Sequence, residues 1–219
     1  MVQSRLKGKA GDASKYDNQL RADRAAESRV RIVESARVVL LERDFTAMTI
    51  RAIAERADVS VETIYKTFGG KAGLVKAMWD ATLVGDFQPL SIAERPAARS
   101  IGQETDPVAK IGLYAKLAAD LHRRIGPLVA ATRGVNGSDT ALAQLTEATN
   151  RERLAGTGML VDHLIATRSL RRGLVRDVAR DITWTYTSPE MYLLLIHDRG
   201  WSYNQYENWL ATALVAALT

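Results

Sequence analysis

Between residues 29 and 84 the apolar positions recur every three or four places, the spacing that gathers them on one face of a helix. Val30, Val33, Ala36, Leu40 and Leu41, with Arg37 interrupting, make such a stripe over Arg29 to Leu41. Ile50, Ile53, Ala54 and Ala57 make a second one behind Thr49, whose hydroxyl suits a helix cap. The pattern breaks at Asp58-Val59. Ser60 then caps a third helix whose apolar face is Ile64, Tyr65, Phe68 and part of Val61. The second and third helices are too short to hold in water by themselves. They are expected to pack on the first, forming a three-helix head over residues 25–71, and a fourth helix opens at Lys71 behind Gly69-Gly70.

Beyond Val84 the pattern stays helical, punctuated by Gly and Pro. A polar, Pro-containing stretch from Gln88 to Asp106 precedes a helix that starts at Asp106-Pro107 and ends about Arg124. Gly126-Pro127 is expected to restart a shorter helix to Arg133. The loop GVNGSD follows, with Ser138 or Asp139 capping a long helix toward Arg168. RSLRRGLVRD turns into a last pair: Asp177 to His197, interrupted at Ser188-Pro189, and Tyr203 to Leu218. No segment alternates like a strand and none repeats. The expected fold is all-α, an N-terminal helix-turn-helix head joined to a C-terminal helical domain over 72–219. Residues 1–24, rich in charge, Gly and Ser, are expected to form a mobile basic arm. Its Arg5, Lys7 and Lys9 are candidates to lie along a phosphate backbone or enter a minor groove, the alternative being a solvated tail.

Two short helices joined by a tight turn can lay the second one into the major groove of DNA. With Ile64 and Phe68 turned inward, Val61, Glu62, Thr63, Lys66 and Thr67 face out. Base reading is assigned to Val61, Thr63, Lys66 and Thr67, through methyl contact with thymine or hydrogen bonds to base edges. Glu62 is expected to stay solvated or intrahelical, since an acidic group gains little beside phosphate. The amino ends at Thr49 and Ser60 expose backbone amides that favour phosphate, and Lys71 adds a charge at the start of the fourth helix.

The stretch RIVESARVVLLERDFTAMTIRAIAERADVSVETIYKTFGGKAGLVKAMWD resembles, in the order and spacing of its residues, the DNA-binding head of the tetracycline-repressor (TetR) family of transcriptional regulators. The resemblance runs from Val30 to about Val84. It implies phosphate contacts at Thr49, Tyr65 and Lys71, and base contacts on the face of Val61, Thr63, Lys66 and Thr67. Asp44 and Asp58 stand at turn positions where the family often has Gly, and Asp tolerates a left-handed backbone. Gly70 and Ala72 replace a capping and an acidic residue frequent in the family, leaving the fourth helix less well capped.

The segment TSPEMYLLLIHDRGWSYNQYENWLATALVAAL carries more apolar side chains than one helix face buries. Tyr192, Leu195, Ile196, Trp209, Leu210, Ala213, Leu214 and Ala217 are therefore the candidate seam of a homodimer, the role this segment has in the resembled family. Two heads would then face a palindromic operator with half-sites ~34 Å apart or a multiple of that. The resemblance also implies a small-molecule inducer held by the middle helices. The candidates are Trp79, Leu83, Phe87, Tyr114 and Leu117, then His122, Met159, His163, Trp184 and Tyr186, aromatic and Met side chains with a few polar atoms. Any of them serves a filled core equally well.

Charge sharpens the assignment. Of the net +5, residues 1–84 hold 15 Lys and Arg against 11 Asp and Glu, and residues 85–219 hold 15 against 14. The excess sits on the half with the DNA-binding pattern. With no cysteine there is neither a disulfide framework nor thiolate chemistry. No run reaches the roughly 18 apolar residues of a membrane span, and no signal-peptide core opens the chain, so a cytoplasmic protein without membrane attachment is expected. His122, His163 and His197 each neighbour an acidic residue too closely in sequence to face it on a helix. No nucleophile elbow, phosphate loop or metal-ligand spacing occurs, which excludes an enzyme and leaves no cofactor or metal to expect. The resulting expectation is a sequence-specific DNA-binding transcriptional regulator, a repressor released from a palindromic operator by an inducer. The alternatives are an activator of the same build, or a helical ligand-binding or scaffolding protein that no longer binds DNA.

Overall fold

A computed structural model describes residues 6–88, 90–133, 135 and 139–219, with side chains from residue 19 onward. Ten α-helices are assigned among them: α1 (Leu6–Glu42), α2 (Ile50–Ala57), α3 (Val61–Phe68), α4 (Lys71–Val84), α5 (Pro96–Gln103), α6 (Pro107–Thr132), α7 (Thr140–Ala166), α8 (Arg176–Tyr186), α9 (Pro189–Tyr192) and α10 (Tyr203–Leu218). A 3-10 turn over Ile92–Glu94 precedes α5, and a π turn over Leu193–Asp198 follows α9. No strand is present among the described residues.

Helix α1 differs from its expectation in its start and in its buried face. Its backbone is helical from Leu6, whereas the apolar stripe predicted a helix only from Arg29 behind a mobile arm. The added turns carry Ala with Lys and Arg, residues that lose little entropy in a helix and need no apolar face to form one. From Gln19 to Glu27 they are exposed, with Gln19 donating to Asp23 one turn on. Arg5 lies outside the described residues, as do the side chains of Lys7 and Lys9. The buried face is Ile32, Val33, Ala36, Val39 and Leu40, rotated from the predicted stripe, and Leu41 is 42% exposed.

Helices α1 to α4 enclose one core: Ile32, Val33, Ala36 and Leu40 meet Phe45, Met48, Ile53, Ala57, Ile64, Leu74 and Met78. That core does not stop at the head. It continues through α4 to Ile125 and Leu128 of α6 and to Ala141 and Leu145 of α7. A second core lies farther along the same long helices, where Ile111, Ala115 and Ala119 of α6 meet Leu160 and Leu164 of α7, Ala179 of α8, and Tyr206, Leu210, Leu214 and Leu218 of α10. Helices α6 and α7 thus span both cores and tie the head to the body.

Helix α6 also corrects the expected break at Gly126-Pro127. It runs unbroken with Pro127 inside, although Pro127 has no N–H to return to the turn before it. Ile125, Gly126 and Leu128 are all buried, so packing of both flanks holds the helix through the residue that local rules make a stop. Gly126 has its own reason to be glycine. A Cβ there would stand 2.6 Å from Cε1 of Tyr192.

Candidate nucleic-acid interface

The two short helices are started by the residues the sequence pattern named. Thr49 Oγ1 accepts from the Ala52 amide at 3.1 Å, and Ser60 Oγ accepts from the Thr63 amide at 3.2 Å. Each cap satisfies one amide and leaves others of the first turn pointing outward, where a phosphate oxygen can accept from them. Between the helices Asp58 takes the left-handed conformation (φ 51°), and its N–H closes α2 onto Ala54 and Glu55. Asp44, the other expected left-handed position, does otherwise: its Oδ1 accepts from the Ala47 amide at 2.7 Å. Gly69 (φ 73°) and Gly70 (φ 126°) turn the chain into α4, whose amino end has no side-chain cap. Helix α4 passes so near α3 that a Cβ on Gly73 would meet the Phe68 carbonyl oxygen.

Of α3 only Ile64 is fully buried. Glu62, Lys66 and Thr67 are exposed, and Val61 and Thr63 are half-buried. Tyr65, which the apolar pattern placed on the inner face, is 55% exposed and lies with its ring beside Gly70. A position one residue after Ile64 is 100° around the helix, so it leaves the core while its phenol reaches the rim of the face. Thr63 and Thr67 are partly committed within the helix: the Thr63 hydroxyl stands 3.1 Å from that of Ser60, and Thr67 Oγ1 donates to the Thr63 carbonyl at 2.7 Å. The backbone and the Ser60 hydroxyl hold the Glu62 carboxyl below its usual range, consistent with an intrahelical role.

Lys71 departs most from its expected part. Its ammonium lies 3.0 Å from Asp139 Oδ2 and 4.3 Å above the Phe45 ring, turned toward the amino end of α7. Burial works to raise the Asp139 carboxyl, but Lys71 and the amides of Leu142 and Ala141 outweigh it and hold the group below its ordinary value. Asp139 is therefore both the cap of α7, as its position predicted, and the partner of Lys71, which no local signal disclosed. Ser138, the other candidate cap, lies outside the described residues. Arg29 is a cation the sequence pattern passed over. It stacks 4.7 Å from the Phe68 ring centre, next to α3.

The ten inducer candidates do not all gather in one place, although Tyr114, His122 and Trp184 stand near one another around Arg153. Trp79 is buried in the first core with Leu83 packed on it, while Phe87, Met159 (57% exposed) and His163 lie at the surface. Tyr114, His122 and Tyr186 belong to the second core or its edge, with Leu117 and Trp184 half-buried. His122 Nδ1 stands 2.9 Å from the Tyr206 hydroxyl, and burial followed by the charge of Arg153 pulls the imidazole down to about 3. An open groove of about 370 Å³ between α7 and α8 is lined by Arg151, Leu154, Met159, Asp162, Arg176 and Arg180 among others, sharing only Met159 with the expected set. Helical spacing marks a residue as inward-facing; it does not say into which of two cores.

The expected dimer seam needs a similar correction. Leu210 and Leu214 are fully buried within the second core, and Tyr192 packs edge-on against Tyr206. Leu195, Ile196, Trp209, Ala213 and Ala217 are half-buried. Exposed apolar side chains nearby include Leu194 in the turn after α9, and Val175 (65% exposed) and Val178 at the start of α8. Among the described residues, no three His, Asp or Glu side chains gather to hold a metal, and no helix is long and apolar enough to cross a membrane.

Residues 32–78 match the model of the bacterial regulatory proteins of the tetR family. YdeS, an HTH-type transcriptional regulator of Bacillus subtilis (strain 168), is 30% identical over 167 residues, covering 75% of this chain and 77% of its own. YvkB, an HTH-type transcriptional regulator of the same organism, is 42% identical over 48 residues, 22% of this chain and 25% of its own. Among solved structures, FadR of Bacillus subtilis in complex with stearoyl-CoA superposes with a TM-score of 0.65 at 16% identity, covering 87% of this chain and 99% of that one. A TetR transcription regulator of Haloarcula marismortui gives 0.63 at 14% identity, covering 89% and 100%. The relatives are regulators rather than enzymes, in keeping with a site built of caps and exposed side chains. With its helix-turn-helix, its all-α body and these relatives, the chain belongs to the TetR family of transcriptional regulators.

Proposed function

We propose that this regulator represses transcription from a palindromic operator as a homodimer, and that a small molecule bound in the body releases it. The observation that carries the DNA half is the composition of the exposed face of α3. Lys66 and Thr67 project from it, Val61 and Thr63 flank them, and the capped amino ends at Thr49 and Ser60 stand beside it with free amides. Val61, Thr63, Lys66 and Thr67 read base edges; Thr49, Ser60 and Tyr65 hold phosphates. Lys71 reaches a phosphate only by leaving Asp139. In the dimer, Val175 and Val178 supply the apolar contact together with the half-buried Trp209, Ala213 and Ala217.

Support for the ligand half is the continuity of the first core, in which α6 and α7 carry any rearrangement of the body to α4 and the head. FadR of Bacillus subtilis, whose fold this chain shares, is in complex with stearoyl-CoA. Release requires that the ligand favour the arrangement of the heads that cannot span the operator, by a factor typically of about 5 to 150.

Fluorescence anisotropy on labelled duplex from the protein's own promoter tests the reading. Affinity should fall steeply as salt rises, since each phosphate contact releases counterions. Lys66→Ala should relax preference at particular base pairs, whereas Tyr65→Ala should weaken all sequences alike. An affinity insensitive to both salt and Lys66 would discard the DNA-binding reading.

A further inference from the structure

Arg153 of α7 is half-buried against α8. Its Nη2 donates to the Trp184 carbonyl oxygen at 2.6 Å and its Nη1 to Asn150 Oδ1 at 3.2 Å, and the guanidinium stacks 4.7 Å from the centre of the Trp184 ring. Both acceptors are uncharged, and Glu190 acts on the cation only through its longer-range field. Around it stand neutral groups from two other elements. Its charge is felt by Tyr114 and His122 of α6 and by Tyr206 of α10, and the latter two are within hydrogen-bond distance of each other. Among the described residues no carboxylate lies within ion-pair distance of the guanidinium.

Two donors are left over on these stacked neighbours. Arg153 Nε and Trp184 Nε1 are both sealed from solvent, and neither has an acceptor among the described residues. Buried donors without partners are rare, and a pair on stacked neighbours, one of them cationic, describes half of a binding site: two N–H groups waiting for one negatively charged acceptor. The other side-chain atom in this condition, Arg95 Nε, has a different explanation, since that guanidinium already clasps Asp86 through both terminal nitrogens.

We propose that the body binds an amphiphile whose carboxylate accepts from Arg153 Nε and Trp184 Nε1. The assignment deepens the ligand half of the proposed function and rests on it for its regulatory meaning. A carboxylate fits because two donors match its two oxygens and one cation matches its one charge. A phosphate dianion would bring more oxygens and charge than these groups satisfy. The remainder of the ligand is apolar because the surrounding interior offers it no other unpartnered side-chain polar atom among the described residues. The ring of Trp184 and the phenol of Tyr114, the latter pushed up to about 12 by burial, give it aromatic surface instead. This site joins α6, α7, α8 and α10, so a ligand there touches the same α6 and α7 that reach the head.

The test is isothermal titration calorimetry on the intact protein without DNA, using octanoate, 1-octanol and octyl phosphate at neutral pH. Octanoate should bind roughly tenfold or more tightly than 1-octanol, the margin of hydrogen bonds to a charged group. Trp184→Phe, which keeps an aromatic ring and deletes the N–H, and Arg153→Lys, which keeps the charge and deletes Nε, should each lower octanoate affinity by about tenfold and leave 1-octanol unchanged. Equal binding of acid and alcohol by the unmutated protein, no binding of octanoate, or tighter binding of octyl phosphate would each overturn the carboxylate assignment; so would a folded Trp184→Phe protein with undiminished octanoate affinity. Because DNA is absent, binding is scored apart from release. An octanoate that binds in this pattern but leaves the operator complex intact upholds the site and refutes the release mechanism.

Discussion

The head and the body are built from the same kind of helix but solve different problems. In the head, the side chains that matter are set by neighbours three or four residues away: Thr49 on Ala52, Ser60 on Thr63, and Asp58 closing α2 by its own backbone. In the body they are set by partners far off in sequence, such as His122 with Tyr206, Arg153 with Trp184, and Gly126 under Tyr192. The head can therefore present a constant face to DNA with little help, whereas the body's interior depends on how four long helices happen to meet. The face of the head is locally encoded, and the interior of the body is not. If that distinction is right, substitutions in the two regions should fail in different ways.

The largest effects are expected at the two glycines where helices touch. Gly73→Ala drives a Cβ into a backbone carbonyl oxygen of Phe68, which cannot rotate away. It should cost about 3 kcal/mol or more, at the top of the range for overpacking, and loosen α3 against α4. Gly126→Ala meets only the ring of Tyr192, a side chain that can swing. Its cost should be about 1 kcal/mol, the lower end of the same range. Urea unfolding of the two variants checks the ordering. Equal losses would mean that the body contact is as rigid as the head contact, and the comparison would lose its basis.

A pH dependence comes next and belongs to the body alone. His122 titrates near 6.5 in the unfolded chain but only at about 3 in the folded one, because burial and then the Arg153 charge disfavour its imidazolium. Between those values the unfolded state binds the extra proton, so stability is full above 6.5 and declines as pH falls toward 3. Thermal midpoints from neutral pH to mildly acid pH should fall in the unmutated protein and fall less in His122→Gln. An identical slope in the two would contradict a buried neutral histidine.

These expectations also mark how far the chain could be read without coordinates. Caps and turn residues were legible, including Asp139 at the start of α7, because a cap is a short-range hydrogen bond with a known donor spacing. The short helices α2 and α3 and the all-α architecture followed from the same local pattern. What local pattern cannot hold is the identity of a distant partner. Lys71 read as a free cation until Asp139 was found 3.0 Å away, Leu210 and Leu214 read as surplus apolar side chains until α6 and α8 covered them, and Pro127 read as a helix stop until both flanks proved buried. Tyr65 was misplaced for a smaller reason, since an aromatic next to Ile64 satisfies an apolar count from either side of the boundary. Trp184 stood among the inducer candidates, but Arg153 carried no sequence signal, because an arginine on a long polar helix is ordinarily solvated.

At the junction between the regions, Asp139→Asn should act modestly and with opposite signs on two readouts. Removing the carboxylate frees Lys71 from its partner while an amide oxygen still caps α7, so stability should drop by under about 1 kcal/mol, as for a partly exposed ion pair. The freed ammonium becomes available to a phosphate. DNA affinity should rise severalfold at low salt, and the slope of log affinity against log salt should steepen by about 0.9, one phosphate's worth of counterion. Unchanged DNA binding would show that Lys71 stays with the body on the operator as well.

The smallest change in stability is expected where the effect on function is most selective. Lys66 is exposed on α3 and forms no ion pair in the described structure, so Lys66→Ala should alter unfolding free energy by no more than about 0.5 kcal/mol. On DNA the same variant should lose discrimination at one or two base pairs of each half-site, worth roughly 1 to 3 kcal/mol for a lost bidentate contact. Competition between the operator and single-base variants of it measures this directly. If Lys66→Ala instead weakens every sequence equally, its ammonium serves phosphate, and the reading edge of α3 lies with Val61, Thr63 and Thr67. The outcome decides which side of the locally encoded face carries sequence information, with the fold unchanged in either case.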